Sequence, residues 1–185
     1  MGYYGDRGEE VLTESASGGT GFLADVTSAW EDAAIPIADQ GIRLCLARTS
    51  IVLATEGGAL PRMRTITRAG LGGPLGNGRQ FWSWITLRDE VAALRFLIDN
   101  DVDGPVNLAT TDAVRQRQFA KQLAAALGRP AVIPAPGFAI RTALGEMGRA
   151  LLLDSTRLEP RVLVKAGFSF ESADLDAGFS LLLGT

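Results

Sequence analysis

The sequence predicts an α/β protein, with strands and helices alternating through the first two thirds and helices closing the chain. Three observations carry this expectation. Apolar residues recur at helical spacing in separate windows: Phe22, Val26 and Trp30 in one, Phe119, Leu123 and Leu127 in another. The stretch from Ile42 to Leu53 is instead almost continuously apolar or small, the pattern of a strand covered on both faces. Breaks rich in glycine and proline, above all Gly72-Gly73-Pro74, separate these windows.

Residues 1–20 read as irregular because Gly, Ser, Thr and acidic residues dominate them, and the start around Tyr3 and Tyr4 is expected to be disordered. A helix follows from Phe22, with its apolar stripe expected to face the core, and Gln40-Gly41 ends it. One strand runs from Ile42 to Leu53. A second helix lies within residues 57–70, with Leu60, Met63 and Ile66 on its buried face. The glycines between 72 and 78 make a loop, and residues 80–87 form an aromatic strand. Asp89 opens a helix on which Val91, Leu94 and Ile98 share a face. Gly104-Pro105 turns into a short strand over residues 106–109. The next helix is capped by Thr111 or Asp112 and stopped by Gly128. After extended residues 131–133, helices are expected over 138–153, 156–165 and 174–183.

Composition excludes several functions. A net charge of −3 with scattered basic residues argues against nucleic-acid binding, which needs a basic stripe. No stretch approaches the ~18 apolar residues of a membrane span, so no membrane partner is expected and the cytoplasm is the expected location. There is no histidine, so imidazole-based hydrolysis is excluded. Cys45 is the single cysteine, and neither a disulfide framework nor a metal site is expected.

Several segments resemble one family in order. Gly2-Tyr3-Tyr4-Gly5-Asp6 resembles a strand end, Phe22 to Glu31 the helix after it, and Arg43 to Leu53 the next parallel strand. The most specific match is the loop Gly72-Gly73-Pro74-Leu75-Gly76-Asn77-Gly78-Arg79-Gln80 with Ser83-Trp84-Ile85. Gly104-Pro105-Val106-Asn107-Leu108 also fits, as do Gly145-Glu146-Met147 and Ala166-Gly167-Phe168. Together they resemble the atypical, extended short-chain dehydrogenases/reductases of the NAD-dependent epimerase/dehydratase type, in a subfamily with a C-terminal domain of unknown function.

The resemblance implies the C-terminal portion of a Rossmann-like parallel sheet followed by a mostly helical region. Residues 1–57 would be the remnant of the dinucleotide-binding domain, and residues 58–185 the substrate side and C-terminal helices. It implies an oxidoreductase or epimerase using NADP or NAD on a small molecule of the nucleotide-sugar kind. Arg48, Thr49, Ser50 and Ile51 would meet the nicotinamide, and Arg79, Trp84 and Tyr4 the substrate.

Three departures bear on activity. Gly18-Gly19-Thr20-Gly21 mimics a phosphate-binding turn, but polar residues precede it where that turn needs a buried strand. It reads as a decoy, so this chain alone is expected to bind dinucleotide weakly. The Tyr-x-x-x-Lys pair that moves a proton is absent, its places falling near Leu23 and Thr27. Thr86 and Arg88 stand where relatives carry histidine and aspartate. A non-catalytic dinucleotide-sensing or interaction module, or a fragment without activity, is therefore the alternative reading.

For the single residues a structural reading stands beside each functional one. Arg48 would grip a phosphate or pair with a carboxylate at the sheet rim. Arg79 offers a bidentate grip on an anion or is a solvated loop residue. Trp82 and Trp84, two apart on a strand, stack on substrate or pack in the core. Glu146 reads as a solvated helical charge. A truncated chain would leave one strand edge bare, and oligomerisation through that edge or poor stability is expected.

Overall fold

Two parallel strand pairs sit side by side at the centre of the computed structural model, which describes residues 1–184 and all their side chains but that of Leu144. In chain order, a 3-10 turn at Gly2–Tyr4 precedes β1 (Val11–Leu12) and α1 (Phe22–Ala34), which runs on into a 3-10 segment at Ile35–Gln40. Then come β2 (Cys45–Thr49), β3 (Ile51–Leu53), α2 (Leu60–Arg68), β4 (Phe81–Trp82), β5 (Trp84–Thr86) and α3 (Leu87–Asp99). The chain continues through β6 (Gly104–Leu108), β7 (Val114–Arg115) and α4 (Gln116–Ala126). It ends in α5 (Gly137–Leu152), β8 (Arg157–Leu158), α6 (Arg161–Lys165) and α7 (Leu175–Leu183). The class is α/β, as the alternating pattern predicts.

Strand β2 runs parallel to β6, from Cys45 opposite Gly104 to Thr49 opposite Leu108. Strand β3 runs parallel to β5, with Ile51 opposite Trp84. The single strand expected over residues 42–53 is therefore two, handed over at Ser50. The Ser50 N–H still donates to Leu108 O at 3.0 Å, whereas the next N–H, of Ile51, donates to Ser83 O at 3.1 Å. Shorter pairs complete the frame: β1 with β8 in parallel and β4 with β7 antiparallel.

Residues 1–20 are better ordered than their composition suggests. Tyr4 is fully buried and packs with Leu12, Ala109 and Leu158. The expectation of a disordered start is corrected, because β1 pairs with β8 from the far end of the chain. Helix α3 begins two residues before Asp89. Thr86 is its N-cap, accepting the Asp89 N–H at 3.1 Å and donating to Asp89 Oδ2 at 3.0 Å. The helix expected over residues 156–165 is instead β8 followed by the single turn of α6.

The stripes of α1 and α3 point the other way from expectation. Trp30 is 72% exposed and Ile98 74%, and Phe22, Val91 and Leu94 are exposed as well. On α3 the inward residues are Asp89, Glu90, Ala93 and Leu97. On α2, Leu60 is buried and Met63 packs on the core, but Ile66 is exposed and Thr67 takes the inner place. Periodicity marks an apolar stripe without naming what covers it. The main core gathers Leu53, Trp82, Trp84, Phe119, Leu123 and Phe179 between strands and helices. A second cluster, with Ile85, Leu97, Val106, Leu108 and Leu163, fills the space between α3, the central strands and α6.

Candidate functional site

Arg48 lies in the second half of β2, whose parallel neighbour aims it at the N-terminal segment. Its guanidinium makes a two-point pair with Glu31 of α1, Nε to Oε1 at 2.8 Å and Nη2 to Oε2 at 2.7 Å. Nη1 donates to the Tyr4 hydroxyl at 3.0 Å, and the guanidinium stacks 3.5 Å above the Tyr3 ring. The Tyr4 hydroxyl in turn donates to Asn107 Oδ1 at 2.7 Å, and Asn107 Nδ2 reaches Leu12 O and Glu159 O. Burial opposes the charge of Arg48, but the hydrogen bonds to Glu31 and Tyr4 outweigh it and hold the group firmly protonated. Burial pushes the Tyr4 phenol above its ordinary range, so it stays a neutral donor. Of the two readings of Arg48, this geometry is the carboxylate pair.

The next residues line the junction where β2 gives way to β3. Thr49 Oγ1 donates to Glu90 Oε1 at 2.9 Å. Glu90 Oε2, Ser50 Oγ and Thr110 Oγ1 are buried with no hydrogen-bond partner among the described residues. Burial raises the Glu90 carboxyl, opposed by the Thr49 hydrogen bond and the Met1 amine. Ile51 packs against the main core.

A cavity of about 140 Å³ is linked to this junction through Met1, which lines it and whose amine donates to Thr49 O at 2.6 Å. The start of α1 forms one wall, with Gly21, Phe22, Leu23 and Ala24, and the second half of α5 faces it with Glu146, Met147, Arg149 and Leu151. Trp82, Asp154 and Thr156 complete its lining. The α5 wall is set by a kink at Gly145, which adopts φ 60° and ψ −147°, a backbone state open to glycine. Trp82 is buried with its indole N–H unpartnered. Desolvation pushes the Asp154 carboxyl upward, opposed by Arg149 at 3.8 Å.

The expected site residues divide between places. Arg48, Thr49 and Tyr4 come together with Glu31 and Glu90. Trp84 is buried in the main core, its indole donating to Asp112 O at 2.7 Å. Arg79 is exposed on the loop before β4 and contributes, with Arg115 and Arg157, to the positive surroundings of Glu9. Neither Arg79 nor Trp84 lines the cavity. Trp82, weighed as a stacking or core residue, does line the cavity. Asp154 was missed as a site candidate, and so was the pairing of Glu31 with Arg48. No local motif marks them, because each meets its neighbours only through tertiary packing.

The glycine pair resolves plainly. A Cβ on Gly19 would lie 2.0 Å from Tyr4 O, so that glycine is required by close packing on the N-terminal backbone. Helix α1 follows its N-cap Gly21 after a loop, with no strand running directly into it. This is not the architecture of a phosphate-binding turn.

A second hollow, of about 410 Å³, runs along the free edge of β2, between Thr27, Trp30 and Glu31 of α1 and Met1, Gly2 and Tyr3. Leu44 and Ser50 bond toward β6, so the intervening Cys45, Ala47 and Thr49 turn their N–H and C=O groups to the open side. Among the described residues, no strand pairs with that edge.

Parallel strands alternating with helices give this chain a Rossmann-like α/β fold of the kind seen in epimerase and short-chain dehydrogenase/reductase structures. The chain is related in sequence and fold to the epimerase family proteins. It is 44% identical to one from Mycobacterium leprae over 171 residues, 92% of this chain and 56% of that protein. It is 35% identical to one from Bacillus subtilis, over 99% of this chain and 60% of that protein. A crystal structure of the human epimerase family protein SDR39U1 with NADPH matches with a TM-score of 0.92 at 29% identity, covering 99% of this chain and 62% of that one. A nucleoside-diphosphate sugar epimerase from Corynebacterium glutamicum matches with a TM-score of 0.79 at 32% identity, over 99% of this chain and 35% of that one. Residues 135–180 match a domain of unknown function, DUF1731.

The chain thus spans between half and two thirds of the length of these curated relatives. Among the described residues, no helix is long and apolar enough to cross a membrane.

Proposed function

We propose that this chain supplies the nicotinamide floor and the substrate side of an NAD(P)-linked oxidoreductase or epimerase acting on a small hydroxyl or carbonyl compound. The observation that carries the reading is the cavity between the start of α1, Trp82 and the second half of α5, lined also by Met1, whose amine donates to Thr49 O at the carboxyl end of β2. Ligands of open parallel sheets gather at that end.

The chain's residues fit a dinucleotide only in part. Thr49 and Ser50, with the unpartnered hydroxyls of Ser50 and Thr110 nearby, suit the polar edge of a nicotinamide ring. Arg48 would act beneath it by fixing β2 against α1 through Glu31, and Ile51 by packing. For the phosphates there is no matching cradle, since Gly19 is spent on contact with Tyr4. The bound dinucleotide would supply hydride exchange; the chain's part is to shape and shield the substrate side.

Nucleotide sugars are the first substrate class to test, because one related structure is named a nucleoside-diphosphate sugar epimerase. A dinucleotide-sensing module is the second reading, favoured by the absence of the Tyr-x-x-x-Lys pair. The two separate in a turnover screen with NADP⁺ and NADPH against nucleotide sugars and small carbonyl compounds. Substrate-dependent absorbance change at the nicotinamide band supports the enzyme reading. Dinucleotide binding without turnover of any compound supports the sensor.

A further inference from the structure

The cavity holds few ionisable groups, and they differ in their surroundings. Glu146 is exposed on α5, the Arg149 side chain is half exposed, and the Met1 amine, donating to Thr49 O at 2.6 Å, has its pKa lowered to about 6 by burial and by Arg48. The Asp154 side chain is only 13% exposed, and its carboxylate accepts no hydrogen bond among the described residues. The charges that act on it are Arg149 and Arg141 of α5 and Asp6 of the N-terminal segment. Arg149 is its sole ion-pair partner there, at a loose 3.8 Å. Asp154 lines the cavity together with Thr156, Trp82 and Leu23. Leu23 stands near the place where the resemblance puts a proton-transferring tyrosine, and it has no proton to give. The rest of the lining is mainly apolar: Phe22, Ala24, Met147, Ala150 and Leu151.

We infer that Asp154 is the acid–base group of this cavity, and that the ligand there has a compact apolar body with one hydroxyl or carbonyl directed at Asp154. The inference deepens the enzyme reading and rests on it for the identity of the cavity. It also gives the domain of unknown function a role: residues 135–180 bring both the α5 wall and the carboxyl. Desolvation favours the protonated carboxyl, so it can donate to a carbonyl at a higher pH than an ordinary aspartate does. In the oxidising direction the substrate O–H proton passes to the Asp154 carboxylate. The carbinol C–H bond breaks, its hydride reduces an oxidised nicotinamide dinucleotide, and the C=O bond forms. In the reducing direction protonated Asp154 returns the proton to the new alkoxide.

The test needs no cofactor and uses cyclohexanone as the probe, with the chain labelled for carboxyl carbon NMR. Asp154→Asn assigns the resonance and serves as the comparison, and a native-like amide spectrum confirms that it folds; Asp154→Glu is the second variant. The expected result is saturable binding that weakens about tenfold as pH rises through the Asp154 titration, the weight of one hydrogen bond of about 1.4 kcal/mol. Binding should be pH-independent in D154N and pH-dependent again in D154E, and cyclohexanone should move the Asp154 titration upward. Saturable binding that leaves the Asp154 titration unmoved overturns the acid–base role. Absence of saturable binding overturns the apolar ligand class. Because no dinucleotide is present, either failure is distinct from failure of the turnover screen.

Discussion

Arg48 and Glu31, 17 positions apart, form a nearly buried two-point ion pair, with Nε–Oε1 2.8 Å and Nη2–Oε2 2.7 Å, beneath the ring of Tyr3. The pair ties the central strand to α1 and, through the Tyr4 hydroxyl, to the N-terminal segment. Replacing Arg48 with methionine leaves the Glu31 carboxylate facing that site alone. The expected loss is roughly 3 kcal/mol of folding stability, the usual scale for breaking a shielded pair from one side. Urea unfolding measures it, and R48M with E31Q together should cost less than the sum of the two changes.

Tyr4 gives an independent check on the ordered start of the chain. Tyr4→Phe removes a hydroxyl that donates to Asn107 at 2.7 Å and accepts from Arg48 at 3.0 Å. The change should destabilise the fold by about 1–3 kcal/mol, since it leaves buried partners unsatisfied. A disordered terminus would make Y4F neutral in the same unfolding curve.

Gly19 separates a packing glycine from a phosphate-binding one. A methyl group there meets Tyr4 O at 2.0 Å, so Gly19→Ala should cost about 1–3 kcal/mol by forcing the backbone apart. Gly8→Ala is not a matched control, because Gly8 carries φ 58°. Thermal unfolding of G19A in dinucleotide-free buffer shows the loss directly; a phosphate-binding glycine would show its effect only on cofactor affinity.

Glu90 makes the stability depend on pH. Its carboxyl is raised by burial, so the folded chain holds that proton more tightly than the unfolded chain does. The contribution is favourable below the ordinary carboxylate value and is lost as pH rises through the raised folded value. Glu90→Gln should therefore lift the unfolding midpoint at pH 7 and flatten the change between pH 4 and pH 7. A parallel downward shift at every pH would mean the carboxylate is needed as such.

The free edge of β2 should govern association. Ala47 is exposed and turns its backbone groups to the open hollow. If copies of the chain join there, Ala47→Pro removes the N–H that a new strand would use while leaving the bonds to β6 in place. Light scattering after size exclusion should show the parent chain as an oligomer and A47P shifted toward monomer. A monodisperse, cooperatively stable parent monomer would count against association through this edge.

How much of this was legible in the sequence follows from the range of the interactions. The α/β class, the loop around Gly72-Gly73 and the helices with Phe119 and Phe22 rest on local periodicity and turn chemistry, and these the sequence displays. Ser50 could not be seen as a break, because the hand-over from β6 to β5 depends on strands more than 30 residues away. The outward stripes of α1 and α3 misled for the same reason: Trp30 and Ile98 look like core residues until the rest of the fold turns them out. Of the candidate site, the strand end that carries Arg48 and Thr49 was legible, but not that Arg48 is held there by Glu31. Asp154 was not, since nothing near it in sequence distinguishes a loop aspartate from one that closes a cavity.

The central claim is that this chain carries the substrate side and nicotinamide floor without the phosphate grip. Titration calorimetry of NADPH into the chain tests it most directly. The expected result is binding weaker than micromolar, with Gly19→Ala and Gly18→Ala leaving the heat signal unchanged. Saturable binding at micromolar affinity or tighter would contradict it.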